Sequence, residues 1–219
     1  MADRPELITI TDPRSAASEA YRTLRTNLTF AALDGSLDTL VVTAPTPEED
    51  KSTVLANLAV TLAQMGKRTL LVDADLRRPK LHEIFGVTNE RGITTMFVED
   101  TSPDDPPVLD VDVENLSLLS SGPLPPNPAD ILGSQKMEDI IDALTRQYDI
   151  VLFDAPPVIS VTDAAVLGAK TEGVLLVVHS GQTRREHVER AKEQLERVHV
   201  RIVGTVLTDA PKDVTLGGY

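Results

Sequence analysis

Short runs of apolar and β-branched residues recur along this chain, separated by longer stretches of helical spacing. The runs at 40–43, 69–72, 116–119, 150–153, 174–178 and 202–207 predict strands. They are apolar on consecutive positions, which predicts burial on both faces of a mostly parallel sheet. Helical spacing predicts helices near 52–66, 135–147, 162–170 and 183–198, with another at 15–33 ahead of the first strand. Alternating β and α elements build a three-layer, doubly wound α/β domain with a mostly parallel sheet. Ligands in such folds bind beyond the carboxyl ends of the strands. The loops after Thr43, Val72, Leu119 and Phe153 are therefore the places to search for chemistry.

Two segments break the alternation. Residues 99–115 are acidic and proline-containing, and predict a surface excursion. Residues 121–128, Ser-Gly-Pro-Leu-Pro-Pro-Asn-Pro, predict an extended loop, because proline fits neither a helix interior nor a central strand. That loop either borders the site or serves as a rigid connection.

Composition narrows the classes of function. The 219 residues suit one domain over 1–210 with a short tail at 211–219. Hydrophobic residues make up 41% and charged residues 25%, ordinary for a soluble globular chain. The net charge of −13 opposes phosphate backbones and argues against nucleic acid as a partner. Absence of cysteine excludes disulfides and thiolate metal sites and fits a reducing cytoplasm. No apolar run approaches the roughly 18–20 residues that span a bilayer, and the start, Met-Ala-Asp-Arg-Pro-Glu, lacks a signal-peptide pattern. A cytoplasmic protein is expected, with no direct membrane insertion. The four histidines show no metal-ligand spacing.

Three of the four searched loops carry chemistry. After the first strand, Thr43-Ala-Pro-Thr-Pro-Glu-Glu-Asp-Lys-Ser-Thr53 has the outline of a phosphate-binding loop. Lys51 would reach the outer phosphates, Ser52 would ligate Mg²⁺, and the helix start through Thr53 would add amide donors. After the second strand comes Asp73-Ala-Asp75-Leu-Arg-Arg-Pro79, a carboxylate pair suited to metal coordination and to activating a hydroxyl nucleophile. After the 150–153 strand comes Asp154-Ala-Pro-Pro157, the Walker B arrangement for holding Mg²⁺. A single Asp after a strand serves equally well as a turn or helix cap. Three such segments in this order carry more weight.

Glu19-Ala-Tyr-Arg22-Thr-Leu-Arg25 places one acid and two guanidinium groups along one helical face. Spacing alone leaves open a solvated face or an interface.

Taken with Lys51-Ser52-Thr53, Asp73-Ala-Asp75-Leu-Arg-Arg-Pro79, Gly122-Pro-Leu-Pro-Pro-Asn-Pro128 and Asp154-Ala-Pro-Pro157, this run resembles the bacterial tyrosine kinases, or BY-kinases, of capsule and exopolysaccharide systems. The similarity spans roughly residues 8–208. The resemblance implies that Lys51, Asp73, Asp75 and Asp154 are catalytic, with Asp73 as Walker A′ acid and Asp75 its partner. It implies that Lys51, Ser52 and Thr53 bind ATP, and that Ser52, Asp154 and Asp73 hold Mg²⁺. It further implies a homo-oligomeric ring through Glu19, Arg22 and Arg25, and a membrane-embedded polysaccharide co-polymerase or activator as partner. The family's tail is a tyrosine cluster; here Tyr219 alone stands as candidate phosphoacceptor. Tyr21 and Tyr148 are expected to pack.

The chain departs from the family where glycine is usual, at Glu48 and Asp50. Side chains there predict backbone strain and crowding near phosphate. A carboxylate about 5 Å from a phosphate charge costs on the order of 3 kcal/mol at an effective dielectric near 20, about two orders of magnitude in affinity. Lys51 is also expected to pair with Glu48 or Asp50. Two readings follow: a tyrosine kinase domain with impaired nucleotide binding, or a pseudokinase kept as an assembly module. A ParA- or MinD-like positioning ATPase is a third, disfavoured by the acidic charge and the lack of a C-terminal amphipathic helix.

Overall fold

A computed structural model describes residues 7–31, 37–47 and 49–210. Glu48 and Tyr219 lie outside the described residues.

Seven strands form one sheet: β1 (Thr39–Thr43), β2 (Thr69–Asp73), β3 (Leu109–Asp110), β4 (Leu116–Leu119), β5 (Ile150–Asp154), β6 (Val174–His179) and β7 (Ile202–Thr208), in the order β3-β4-β2-β5-β1-β6-β7. All pairings are parallel except the short β3–β4 edge. The helices are α1 (Ile8–Thr11), α2 (Ala16–Ala31), α3 (Lys51–Ala63), α4 (Leu81–Phe85), α5 (Ile93–Val98), α6 (Pro128–Gly133), α7 (Gln135–Gln147), α8 (Asp163–Gly168) and α9 (Arg185–Arg197).

The continuous apolar strands feed two cores, one on each face. Val41, Leu70, Val151, Phe153 and Leu176 pack with α5 to α9, while Leu40, Val42, Leu71, Leu152 and Leu175 pack with α2 to α4 and with Leu7 ahead of α1. This is the expected three-layer α/β architecture. Helix α3 is buried almost all round, as its apolar, alanine-rich composition requires when α2 covers it from outside. Asn57 on α3 accepts from the Thr9 backbone N–H (3.1 Å) and hydroxyl (2.8 Å), which pins α1 across it. Tyr21 and Tyr148 both pack against the cores, as expected.

Two loop expectations need refinement. The acidic excursion contains β3, turned by Asp112 and Asn115 at positive φ (57° and 63°), which short polar side chains tolerate. The proline-rich run ends by starting α6, with Pro128 in its first turn, where the missing N–H costs nothing. Its first part lies against residues 89–94. Gly92 approaches the Ser120 carbonyl so closely that a Cβ would sit 2.0 Å from it.

Candidate active site

The register of the sheet assembles the acids. Asp73 is paired with Asp154 between β2 and β5, and Asp154 with Val42 between β5 and β1. Both carboxyl groups thus emerge at the carboxyl edge beside the loop that follows β1. That loop is held down by Thr43, whose hydroxyl donates to the Pro156 carbonyl (2.7 Å), and by the Val158 N–H donating to the Ala44 carbonyl (2.9 Å).

Lys51 opens α3 and turns inward. Its Nζ donates to Asp154 Oδ1 at 2.8 Å and to Asp75 Oδ2 at 3.1 Å. The Ser52 hydroxyl donates to the other Asp154 oxygen at 2.5 Å. Asp75 also accepts from the backbone N–H groups of Arg78 (3.0 Å) and Arg77 (3.4 Å). Lys51 therefore bridges Asp75 and Asp154; the expected pairing with Asp50 is not formed, and the alternative, Glu48, lies outside the described residues. The Asp75 and Asp154 carboxyls lie deeper and are shielded from water, so the ammonium gains more from them than from the exposed Asp50.

Asp73 is fully buried. Its Oδ2 accepts from the N–H groups of Lys80 (3.1 Å) and Leu81 (3.0 Å), while Oδ1 has no hydrogen-bond partner among the described residues. Burial first, then the neighbouring Asp154 charge, push its carboxyl well above the ordinary range, against the Leu81 N–H and the Lys51 charge. Asp154 is also raised, because burial outweighs the pull of Lys51 and Ser52. Burial disfavours the charged form of Lys51, yet Asp154 and Asp75 outweigh it and hold the ammonium above its usual pKa.

Hard oxygen donors of this kind suit Mg²⁺. No cluster of three or more acidic or histidine side chains among the described residues is spaced to hold a metal alone. Mg²⁺ needs no such cage, since it takes one or two carboxylates and completes its shell with water and phosphate. Ser52 and Asp154 fit that role, and the buried Asp73 Oδ1, without a hydrogen-bond partner among the described residues, would be a further acceptor.

Asp50 is exposed and precedes α3 with φ −82° and no side-chain capping bond. That backbone is open to any residue, so the strain expected from replacing glycine is absent at Asp50. Its charge remains, at the positive end of the α3 dipole. Asp50 and Thr53 line a groove of about 340 Å³ with Tyr21, Leu24, His179 and Asp209. Burial, then the charges of Asp50 and Asp209, push the Tyr21 phenol up to about 12.

Two features carried by single residues went unread in the sequence. Glu49 is buried and accepts from Thr46 and Thr183. Thr46-Pro-Glu-Glu49 has the spacing of a capping box, which would have marked it. Asp163 is fully buried and receives a two-pronged bond from Arg77 (2.8 and 3.0 Å) that fastens the 75–78 turn to α8. No local pattern announces a pair so distant in sequence.

The interface candidates lie on α2, away from this cluster. Arg22 pairs with Glu19 and donates to the Pro13 carbonyl (2.7 Å), and Arg25 donates to the Thr61 carbonyl (2.8 Å). None of the described hydrogen bonds of the proline-rich loop reaches Lys51, Asp73, Asp75 or Asp154.

A parallel sheet with a lysine-bearing loop opening a buried helix, and acids at the ends of the adjacent strands, defines a P-loop ATPase-type domain. Comparison with known proteins agrees and goes further. A family model described as an AAA domain matches residues 49–203. The tyrosine-protein kinase YwqD of Bacillus subtilis is 41% identical over 92% of this chain and 84% of its own length. The crystal structure of the chimerical protein CapA2B2 superposes with a TM-score of 0.89 at 36% identity, over 95% of this chain and 92% of that one. The kinase domain of the Escherichia coli tyrosine kinase ETK superposes with a TM-score of 0.87 at 30% identity, over 100% of this chain and 87% of that one. The chain belongs to the BY-kinase family.

Proposed function

We propose that this chain is a BY-kinase-type protein-tyrosine kinase domain that regulates exopolysaccharide or capsule synthesis and export, with nucleotide binding weakened by Glu48 and Asp50. The observation that supports it is the convergence of Lys51, Ser52, Asp75 and Asp154 at the edge of β1, β2 and β5, with Asp73 beside them. ATP is the phosphoryl donor in this reading. Lys51 exchanges its carboxylate partners for the outer phosphates, and Ser52 and Asp154 hold Mg²⁺. Asp75, with Asp73 as its partner, takes the proton of the attacking tyrosine hydroxyl. The tyrosine O–P bond forms as the bond from the γ-phosphorus to the bridging oxygen breaks, and ADP leaves. Tyr219 of a neighbouring copy is the proposed acceptor, in an assembly made through Glu19, Arg22 and Arg25. A membrane-embedded co-polymerase or activator would hold that assembly at the inner face of the membrane, with the domain itself cytoplasmic. No helix among the described residues is long and apolar enough to cross a membrane.

A specific observation favours the pseudokinase alternative. Lys51 and Ser52 are satisfied within the chain, and the start of α3 already carries the Asp50 carboxylate. Calorimetric titration with ATP and Mg²⁺, beside a Glu48→Gly/Asp50→Gly double variant, decides between them. The expected result is weak or undetectable binding by the native chain and a gain of about 100-fold in the double variant. Micromolar binding by the native chain would remove the charge penalty from the account. No recovery in the double variant would leave the assembly role standing.

A further inference from the structure

Glu49 is a buried acid in the middle of the loop, and its environment is built from two separate parts of the chain. Only 6% of its surface is exposed. Oε2 accepts from the Thr46 N–H at 3.2 Å, and the Thr46 hydroxyl lies 2.9 Å from Oε1 and 3.1 Å from Oε2. The third donor comes from 134 residues away, where the Thr183 hydroxyl donates to Oε1 at 2.8 Å. Thr183 is itself oriented, because its hydroxyl oxygen accepts the His179 N–H at 2.9 Å and so leaves its one proton for Glu49. Thr183 belongs to the turn between β6 and α9. A carboxylate this deeply buried is stable only while its donors stay in place.

We propose that Glu49 is a positioning residue: through Thr183 it latches the phosphate loop to the β6–α9 turn and fixes the loop's shape around the Thr46 amide. The latch draws the Thr46 amide onto the chain's own carboxylate, and ties the loop's shape to the end of β6. The inference rests on the kinase-type reading for its functional meaning, but its geometry stands without nucleotide.

Amide hydrogen exchange on the nucleotide-free chain tests the latch directly. Thr183→Val removes the donor at constant shape, and Thr183→Ser restores it. The Thr46 amide is expected to exchange on the order of tenfold faster in Thr183→Val, the effect of one lost hydrogen bond to a buried acceptor, and at the native rate in Thr183→Ser. Glu49→Gln, which weakens the same bond from the other side, is expected to match Thr183→Val. Unchanged Thr46 exchange in both Thr183→Val and Glu49→Gln would overturn the proposal, as would equal acceleration in Thr183→Ser. The His179 amide reports loss of the Thr183 hydroxyl itself, so its acceleration confirms the substitution took effect. Because no nucleotide is present, failure of the ATP titration leaves this result intact, and failure here leaves the titration intact.

Discussion

Lys51→Met separates a folding role of the lysine from a catalytic one. The Lys51 side chain is 8% exposed, and its partners Asp75 and Asp154 are 5% and 0% exposed. Methionine preserves the length and the apolar stem, so the change removes little but the charge. Removing one partner of a buried ion pair costs about 3–5 kcal/mol, because the remaining charge is stranded. For a chain of this size, that corresponds to a fall of roughly 6–20 °C in Tm. The pH dependence has a definite sign. The Lys51 pKa is raised, so its contribution is complete below the ordinary lysine value and is lost only as pH rises through the raised one. Asp154 is already raised and moves further without Lys51, so in the variant it takes up a proton as pH falls. The gap between native chain and variant is therefore widest near pH ~7.5 and narrows toward pH ~5. Urea unfolding followed by circular dichroism, with equal slopes for both proteins, gives the difference at each pH. A gap below about 1 kcal/mol at pH ~7.5, or one that does not change with pH, would refute the charge-compensation argument.

Asp73→Asn keeps the acceptor for the Lys80 and Leu81 amides but removes a carboxyl whose folded form prefers the proton. A raised carboxyl pKa means that stability is lost as pH climbs above the ordinary carboxylate value. The variant should therefore equal the native chain near pH ~4 and exceed it by about 1 kcal/mol near pH ~7.5, read from urea midpoints; a variant less stable at neutral pH contradicts this. For the assembly, Arg22→Ala/Arg25→Ala is expected to lower the sedimentation coefficient. An unchanged profile would assign both guanidinium groups to their bonds with Glu19, Pro13 and Thr61 alone.

Strands such as β1 and β5 were legible because Leu40 to Val42 and Val151 to Phe153 are apolar on every position, which only a two-sided core explains; β7, also apolar in sequence, lies at the sheet edge and is only partly buried. The amphipathic helices α7 and α9 were legible for the same reason, by period. The short helices α1, α4, α5 and α6 were not, since four to six residues give too little period to read, and tertiary contacts decide them; α8, equally short, was anticipated only as part of the longer stretch 162–170. At the site, the acids and the lysine could be named one by one from their places after strands. Their pairing could not. Register sets Asp73 opposite Asp154, and depth makes Asp75 and Asp154, not Asp50, the partners of Lys51.

That pairing changes what an intact motif means. Asp75 and Asp154 are buried, so the fold itself requires a cation between them whether or not ATP ever enters. Lys51 would be kept by a pseudokinase as readily as by a kinase, and its presence argues for neither. Asp50 carries no such duty. It is exposed, makes no side-chain capping bond, and has a backbone that glycine adopts freely. Replacing it with glycine removes a charge from the start of α3 without stranding a partner, at a cost limited to a few tenths of a kcal/mol at a capping position. Nucleotide binding is thus testable at Asp50 without disturbing the acid–lysine core, whereas every substitution at Lys51 or Asp154 mixes chemistry with folding.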